Sequence, residues 1–335
     1  MKVIIPVAGI GSRLRPQTLF LPKSLLPVGG SNILGHIIDS LDGLDISELV
    51  LVTGYKGELI EEYMARRKVE RAALSEVPVH FVHQAKPRGL GEAIHLCAPH
   101  LDDDEPVLIV LGDTLFKANL RAIVASQVSR LCTRKVGDPE RFGVVVTDED
   151  GRIRKLVEKP VQFVSDQAIV GIYWIRETKA LKEALDGIVA RNIRTSGEYQ
   201  LTDALAAMLE MGVEFRSAAI EDWLDCGKPE TLLETNRKLL QIQTRNCSPQ
   251  LVNCRLTPPY SIGDNVRLSN CSIGPNVSIF SNVEATDSEI SDAVIGEATR
   301  IRNSKLTRTL IGRHCAVKDF SGSLNLGDYS EVGTL

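Results

Sequence analysis

The chain reads as an α/β protein, a doubly wound sheet followed by a β-solenoid. Two observations predict this. From residue 1 to about 245, short β-rich runs alternate with amphipathic stretches of helical length, the pattern of a sheet with helices on both faces. Beyond that point Ile-Gly pairs recur at Ile262-Gly263, Ile273-Gly274, Ile295-Gly296 and Ile311-Gly312, the first two with valine four residues after the isoleucine. The expected domains are therefore 1–245 and 246–335.

The elements follow in order. Lys2 to Val7 (KVIIPV) is an apolar run bounded by a glycine-rich turn, hence a buried strand. Further strands are expected at Leu49–Thr53, Val79–Val82, Val107–Leu111, Gly143–Thr147 and Ile169–Trp174. Helices are expected at Ile33–Leu41, Lys56–Lys68, Gly91–Ala98, Lys179–Ala190 and Leu201–Met211, with a last one around Pro229–Arg245. In the tail, steps of six link Ile273 to Ile279 and Ile295 to Ile301, while other steps are shorter. Such imperfect hexads suit short strands that stack one aliphatic side chain inward and turn polar corners outward. The ending LNLGDYSEVG either continues or caps that stack.

Composition narrows the function. A length of 335 residues accommodates a large domain and a smaller one, and 43% hydrophobic with 24% charged residues is ordinary for a globular protein. A net charge of −4 argues against nucleic-acid or membrane binding by bulk electrostatics, so any positive potential must be local. No apolar run reaches the length of a membrane span, and the start lacks the layout of a signal peptide. The seven cysteines (97, 132, 226, 247, 254, 271, 315) are scattered, odd in number and without a CxxC pair. That pattern fits reduced thiols, and the expected compartment is cytoplasmic.

The most informative stretch is Gly9 to Lys23, GIGSRLRPQTLFLPK. Glycines let backbone N–H groups approach an anion without a Cβ in the way, and Arg13 and Lys23 add two positive charges near the turn. A strand, a glycine turn and two cations make a polyphosphate site. The familiar phosphate loops do not fit. A dinucleotide fingerprint needs a third glycine where Leu14 stands, and the only Gly-Lys pair, Gly227-Lys228, is followed by Pro229 rather than Ser or Thr. As a unit, Arg13-Leu14-x-Pro16-x-Thr18 with Pro22-Lys23 resembles the signature of the sugar-1-phosphate nucleotidylyltransferases, with Ser12 where many members carry threonine. The full layout is most similar to long glucose-1-phosphate thymidylyltransferases. That resemblance implies a Rossmann-like catalytic domain and a left-handed parallel β-helix.

It also implies roles for particular residues. Ala8, Gly9, Gly11 and Ser12 would bind the nucleotide, and Arg13 and Lys23 would support the leaving pyrophosphate. Asp113 follows the apolar run VLIVL and one glycine, so its carboxylate emerges at a strand end, where it is a ligand or a cap. In the resembling family this Gly-Asp step supplies a magnesium ligand. The second ligand belongs to a W-x-D-x-G pattern, present here as Trp223-Leu224-Asp225-Cys226-Gly227. Mg2+ prefers oxygen ligands, commonly one or two carboxylates with substrate phosphates. Gln84-x-x-Pro87-x-Gly89-Leu90-Gly91-x-Ala93 resembles the segment that reads the base. There Gln84 would hydrogen-bond the base edge and Gly89 would allow close backbone contact. An amide suits the imide edge of thymine or uracil because it both donates and accepts. Phe142, Gly143, Glu158, Gly171 and Tyr173 resemble the sugar-contacting segments, and Lys159 would hold the phosphate of the sugar 1-phosphate. Gly197-Glu198-Tyr199-Gln200-Leu201-Thr202-Asp203 also has family character, although Thr202 or Asp203 could cap the following helix.

The implied partners are a nucleoside triphosphate and a sugar 1-phosphate, with no nucleic acid and no membrane. A solenoid edge offers a surface for a homo-oligomer. dTTP with glucose 1-phosphate is the favoured pair, with UTP, or GTP with mannose 1-phosphate, as alternatives. Two rivals remain. One is a second, acyl-transferring activity of the tail, for which His314 is the obvious base. The other is a regulatory subunit that binds nucleotide sugars without catalysis, which should lack one of the metal or phosphate residues; all are present.

Overall fold

The structure is a computed structural model that describes residues 1–70, 72–242 and 247–333. The boundary expected at 245 falls among 243–246, outside the described residues. By their internal contacts the residues form two compact units. One comprises Met1–Gly9 with Ile37–Trp223, the other Ile10–His36 with Leu224–Leu335.

The first unit is built on a mixed sheet, nine-stranded among the described residues. β1 (Lys2–Pro6) lies between β2 (Glu48–Thr53) and β4 (Val107–Val110), parallel to both, and β3 (Val79–His83) runs parallel to β2 at the edge. The runs VII, LVLV and VLIV are buried almost completely, as strands covered on both faces must be. The other half reverses direction. β8 (Gln167–Ile175) pairs antiparallel with β4, with β5 (Ser129–Lys135) and, at one point, with β6 (Gly143–Thr147). β6 in turn pairs antiparallel with β7 (Ile153–Glu158), and β9 (Phe215–Ala219) runs parallel to β5. The apolar sides of α3 (Leu90–His95), α4 (Thr178–Ala190) and α5 (Leu201–Glu210) pack with the sheet into one core. The helices expected at Ile33–Leu41 and Lys56–Lys68 are α1 (Ile33–Ser40) and α2 (Gly57–Glu70).

The second unit is dominated by a stack of short parallel strands, a parallel β-helix. Gln250, Arg267, Glu284, Arg300 and Ala316 are in register on successive coils, 17 residues apart at first and 16 later. Isoleucines 262, 273, 279, 295, 301 and 311 are all buried in its core. The coil turns corners at left-handed residues, one series being Asn253, Asn270, Asp287, Asn303 and Asp319. Asparagine and aspartate tolerate positive φ better than other side chains, and here they also ladder. Asn253 Nδ2 donates to Asn270, Asn270 to Asp287 and Asn303 to Asp319, at 3.0, 2.9 and 2.7 Å. The terminal segment continues the stack: Asn325–Leu326 and Glu331–Val332 pair with the preceding coil, and buried Asp328 accepts from the Arg313 guanidinium at 2.7 Å.

The β-helix carries two other pieces of this unit. α6 (Pro229–Ile242) binds it through a two-pronged ion pair, Arg237 to Asp292, with both contacts at 2.6 Å. The segment 10–36 docks on it through Gln17, whose Nε2 lies 2.6 Å from Leu326 O and 3.0 Å from Asn325 Oδ1.

Candidate active site

Within the first unit, the ends of β1 and β4 approach so closely that side chains are excluded. A Cβ on Gly112 would fall 2.4 Å from Val7 Cγ1 and 2.6 Å from Pro6 O, and the Gly112 N–H donates to Pro6 O at 3.1 Å. This packing delivers Asp113 to the exposed rim directly after the buried strand. The glycine of the Gly-Asp step is thus dictated by the neighbouring strand.

A second group gathers around Glu158. Its Oε2 accepts a 2.8 Å hydrogen bond from Thr202 Oγ1, and Lys159 Nζ lies 3.6 Å from its Oε1. A Cβ on Gly143 would collide with both partners, at 2.8 Å from Thr202 Oγ1 and 2.9 Å from Glu158 Oε2. Lys159 holds φ at +42°, unusual for a residue with a side chain, and its N–H is tied to Phe142 O at 3.0 Å. The Phe142 ring meets Trp223 edge-on at 5.0 Å. Tyr173 is buried in the core. Burial pushes its phenol well above the ordinary range, and the nearby carboxylates of Glu158 and Asp113 push it further. Gly171 has φ +81° in β8, where the register to β5 shifts; a side chain there would strike Leu111 and Thr114.

The third group surrounds Gln84, which is buried at the end of β3. Its Nε2 donates to Glu92 Oε2 and to Gly89 O, both at 3.1 Å. Two acceptors facing one end of the amide fix which end is nitrogen, and leave Oε1 as the group able to accept from a ligand. Glu92 is itself held by Arg88 at 2.5 Å. The resemblance implies that Gly89 makes room for a base; the structure gives a further reason for a glycine there. With φ +116°, a Cβ would lie 2.4 Å from Tyr199 O, and the Gly91 N–H donates to that same carbonyl at 2.7 Å. The Gly-Leu-Gly and Gly-Glu-Tyr motifs are thus two sides of one backbone junction. Gly89→Ala is expected to destabilise the protein by about 3 kcal/mol, read from the urea midpoint, because no flexible side chain can give way there.

In the second unit the signature folds as three single-turn 3-10 helices, Ser12–Leu14, Gln17–Leu19 and Lys23–Leu25. Gly11 has φ +68°, and a Cβ on it would press on Lys23 Cβ at 3.0 Å and Thr18 Cγ2 at 3.1 Å. Thr18 Oγ1 closes the loop by donating to Gly11 O at 2.9 Å. Ser12 and Arg13 are exposed and Lys23 half-buried. In the first unit, Ala8 is buried and Gly9 exposed. Asp225 is exposed, and its Oδ1 accepts from the Gly227 N–H at 2.8 Å. Asp113 and Asp225 both present hard oxygen donors at exposed positions, which fits magnesium in donor type. His314, considered as a base, stacks flat on Tyr329 at 5.0 Å.

Thr202, Glu92 and Gln17 carry more of this arrangement than the sequence indicated. Glu92 had a usable signal, an acid in an otherwise apolar helix start eight residues after Gln84. Among the described residues no cysteine is bonded to another, and burial pushes the Cys97 and Cys132 thiols up to about 12. No helix among them is long and apolar enough to cross a membrane.

A family model described as nucleotidyl transferase matches residues 2–242. A UTP–glucose-1-phosphate uridylyltransferase of Haloferax volcanii is 31% identical over 258 residues, covering 73% of this chain and 99% of that protein. A glucose-1-phosphate thymidylyltransferase of Streptomyces antibioticus is 29% identical over 366 residues, 99% of both chains. Among solved structures, a Bacillus anthracis protein assigned as a glucose-1-phosphate thymidylyltransferase, in complex with sucrose, superposes with a TM-score of 0.59 at 28% identity. The match covers 71% of this chain and 95% of that one. A UDP-glucose pyrophosphorylase complexed with UDP-glucose gives a TM-score of 0.61 at 24% identity over 72% of this chain and 99% of that one, a likeness of fold.

Proposed function

This chain belongs to the nucleotidyl transferase family, and from that premise we propose that it joins an NTP to a sugar 1-phosphate, giving an NDP-sugar and pyrophosphate. dTTP with glucose 1-phosphate is the favoured pair. The observation that carries this reading is the Gln84 amide, whose nitrogen end is occupied by Glu92 and Gly89 O. The remaining acceptor matches a base whose edge donates a ring N–H beside a carbonyl, as thymine, uracil and guanine do, whereas adenine and cytosine offer only exocyclic amino hydrogens. The thymidylyltransferase relative that matches over 99% of both chains supports thymine. Uridylyl transfer is the second reading, supported by the Haloferax relative. The two bases differ by one methyl group, worth about 1–3 kcal/mol in a pocket, so use of both is compatible with the site.

A sugar phosphate is largely dianionic at neutral pH, its second pKa being near ~6, so its oxygen attacks the α-phosphorus without a protein nucleophile. The new P–O bond forms as the α–β bridging bond breaks, and pyrophosphate departs with the electron pair. Catalysis is then positioning and charge neutralisation. Arg13 and Lys23 would neutralise the departing pyrophosphate, Lys159 would hold the attacking phosphate, and Glu158, oriented by Thr202, would accept from sugar hydroxyls. Ala8, Gly9, Gly11 and Ser12 would contact the nucleotide, and Phe142, Gly143, Gly171 and Tyr173 the sugar end. Asp113 and Asp225 would hold Mg2+, which when bound offsets phosphate charge and makes the α-phosphorus more electrophilic.

Pyrophosphate release with Mg2+ across dTTP, UTP, GTP, ATP and CTP against glucose 1-phosphate and mannose 1-phosphate tests the proposal. Turnover is expected with dTTP and glucose 1-phosphate; an empty matrix from folded protein would overturn it. Gln84→Leu is expected to compress the preference for dTTP over CTP by about tenfold or more, with the ranking of sugars unchanged. An unchanged NTP ranking would remove Gln84 from the base site.

A further inference from the structure

On the first unit, at the opposite ends of the parallel strands, three side chains converge that the proposed reaction does not use. Glu48 opens β2, His80 lies on the adjacent edge strand β3, and His100 ends the short turn after α3. His100 Nδ1 is 2.6 Å from Glu48 Oε1, and His80 Nε2 is 3.7 Å from the same oxygen. The two rings have their centroids 5.0 Å apart, and one ligand atom from each of the three residues lies within 4.8 Å of the others.

We infer that Glu48, His80 and His100 form a binding site for a divalent cation of borderline softness, of which Zn2+ is the representative. A tetrahedral ion with bonds of about 2.0–2.1 Å separates its ligand atoms by roughly 3.3 Å, and the observed 2.6 and 3.7 Å bracket that value. Two imidazoles and one carboxylate suit zinc and exclude Mg2+, which takes oxygen ligands. Lys2 Nζ occupies the other carboxylate oxygen at 3.1 Å and is itself held by Asp102 at 2.8 Å. The carboxylate is thereby oriented to bind through Oε1 alone, the kind of support that metal-ligating groups receive from outer partners. Three protein ligands leave the fourth position to water. Lys2 and Glu48 are register partners at the start of their strands, while Ala8 and Gly9 follow the far end of β1. The strand between them is roughly 13 Å long, so the ion would tie β2, β3 and the segment after α3 together without entering the reaction.

Zn2+ alone, titrated into the full chain at pH 7.5 by calorimetry, is expected to give one saturable equivalent and to raise Tm, with millimolar Mg2+ not competing. Co2+ in its place should give the visible absorption of a four-coordinate ion. His80→Ala and His100→Ala should each lower the affinity at least tenfold. His80 is half-exposed on an edge strand, so its variant should keep the metal-free Tm. Absence of a zinc equivalent in the wild type would overturn the inference. So would undiminished affinity in both variants, which would place the ion on other groups such as the partly exposed thiols Cys247 and Cys254.

Discussion

Asp113→Ala is expected to lower kcat by about a thousandfold while leaving Tm nearly unchanged. The stability half follows from where the residue sits. Asp113 is exposed, and the backbone that presents it is fixed by Gly112, through its hydrogen bond to Pro6 O and its contact with Val7. Removing an exposed carboxylate leaves that packing intact, and such substitutions usually cost within about 0.5 kcal/mol. The kinetic half follows from the reaction. Two polyanions must meet, and charge neutralisation at the phosphates is a large part of what the site supplies. On the proposed mechanism, loss of one of the two carboxylates that would hold Mg2+ is worth about 4 kcal/mol at the transition state, which is roughly a thousandfold in rate. Asp113→Asn should behave similarly, because it keeps the size and loses the charge. Steady-state pyrophosphate release alongside a melting curve checks both halves. Wild-type turnover in either variant would end the metal role of Asp113.

The parts of the molecule that were legible in the sequence are those in which local chemistry decides. VIIP, LVLV and VLIV are strands because nothing polar interrupts them, and Ile273, Ile279, Ile295 and Ile301 point inward because a stacked coil has no other place for them. The glycines at 89, 112 and 143 were found as motif members, but their physical causes were not visible. Each is required by a contact distant in sequence: Tyr199 O, Val7 and Pro6, and the Thr202–Glu158 pair. Glu92 is a different case, its partners Gln84 and Arg88 lying only eight and four residues back, so that its signal was local. The coil's corners had a legible trace in the recurring Ser-Asn-Cys, Thr-Asp-Ser and Arg-Asn-Ser triplets, spaced 16 or 17 residues apart rather than in hexads. Least legible was the grouping of residues 10–36 with the tail, since texture along the chain changes near 245 while the compact units interleave.

That grouping makes Asn236→Ala a strongly damaging change outside the reaction chemistry. Asn236 is fully buried on α6, and its Oδ1 accepts from the Gly29 N–H at 2.8 Å and from Ser278 Oγ at 2.6 Å. Its Nδ2 donates to Asn276 O at 3.3 Å. One amide therefore joins three segments: the loop just after Lys23, the helix, and a coil of the β-helix. Close packing reinforces the junction, because a Cβ on Gly29 would lie 2.6 Å from Leu239 Cβ and the loop has no room to retreat. Alanine would strand two buried donors and leave a small cavity, while Asn276 O keeps its bond from the Ala293 N–H at 3.1 Å. Each stranded group costs about 1–3 kcal/mol, so a loss of about 3–5 kcal/mol is expected, visible as a Tm lower by roughly 5–10 °C. A double-mutant cycle separates hydrogen bonding from lost volume. Ser278→Ala removes one stranded hydroxyl, so Asn236→Ala with Ser278→Ala should cost less than the two single changes added together. Strict additivity would assign the loss to the cavity instead. Because Gly29 follows Lys23 by six residues, a confirmed coupling would mean that the β-helix helps hold the segment bearing Arg13 and Lys23 in place.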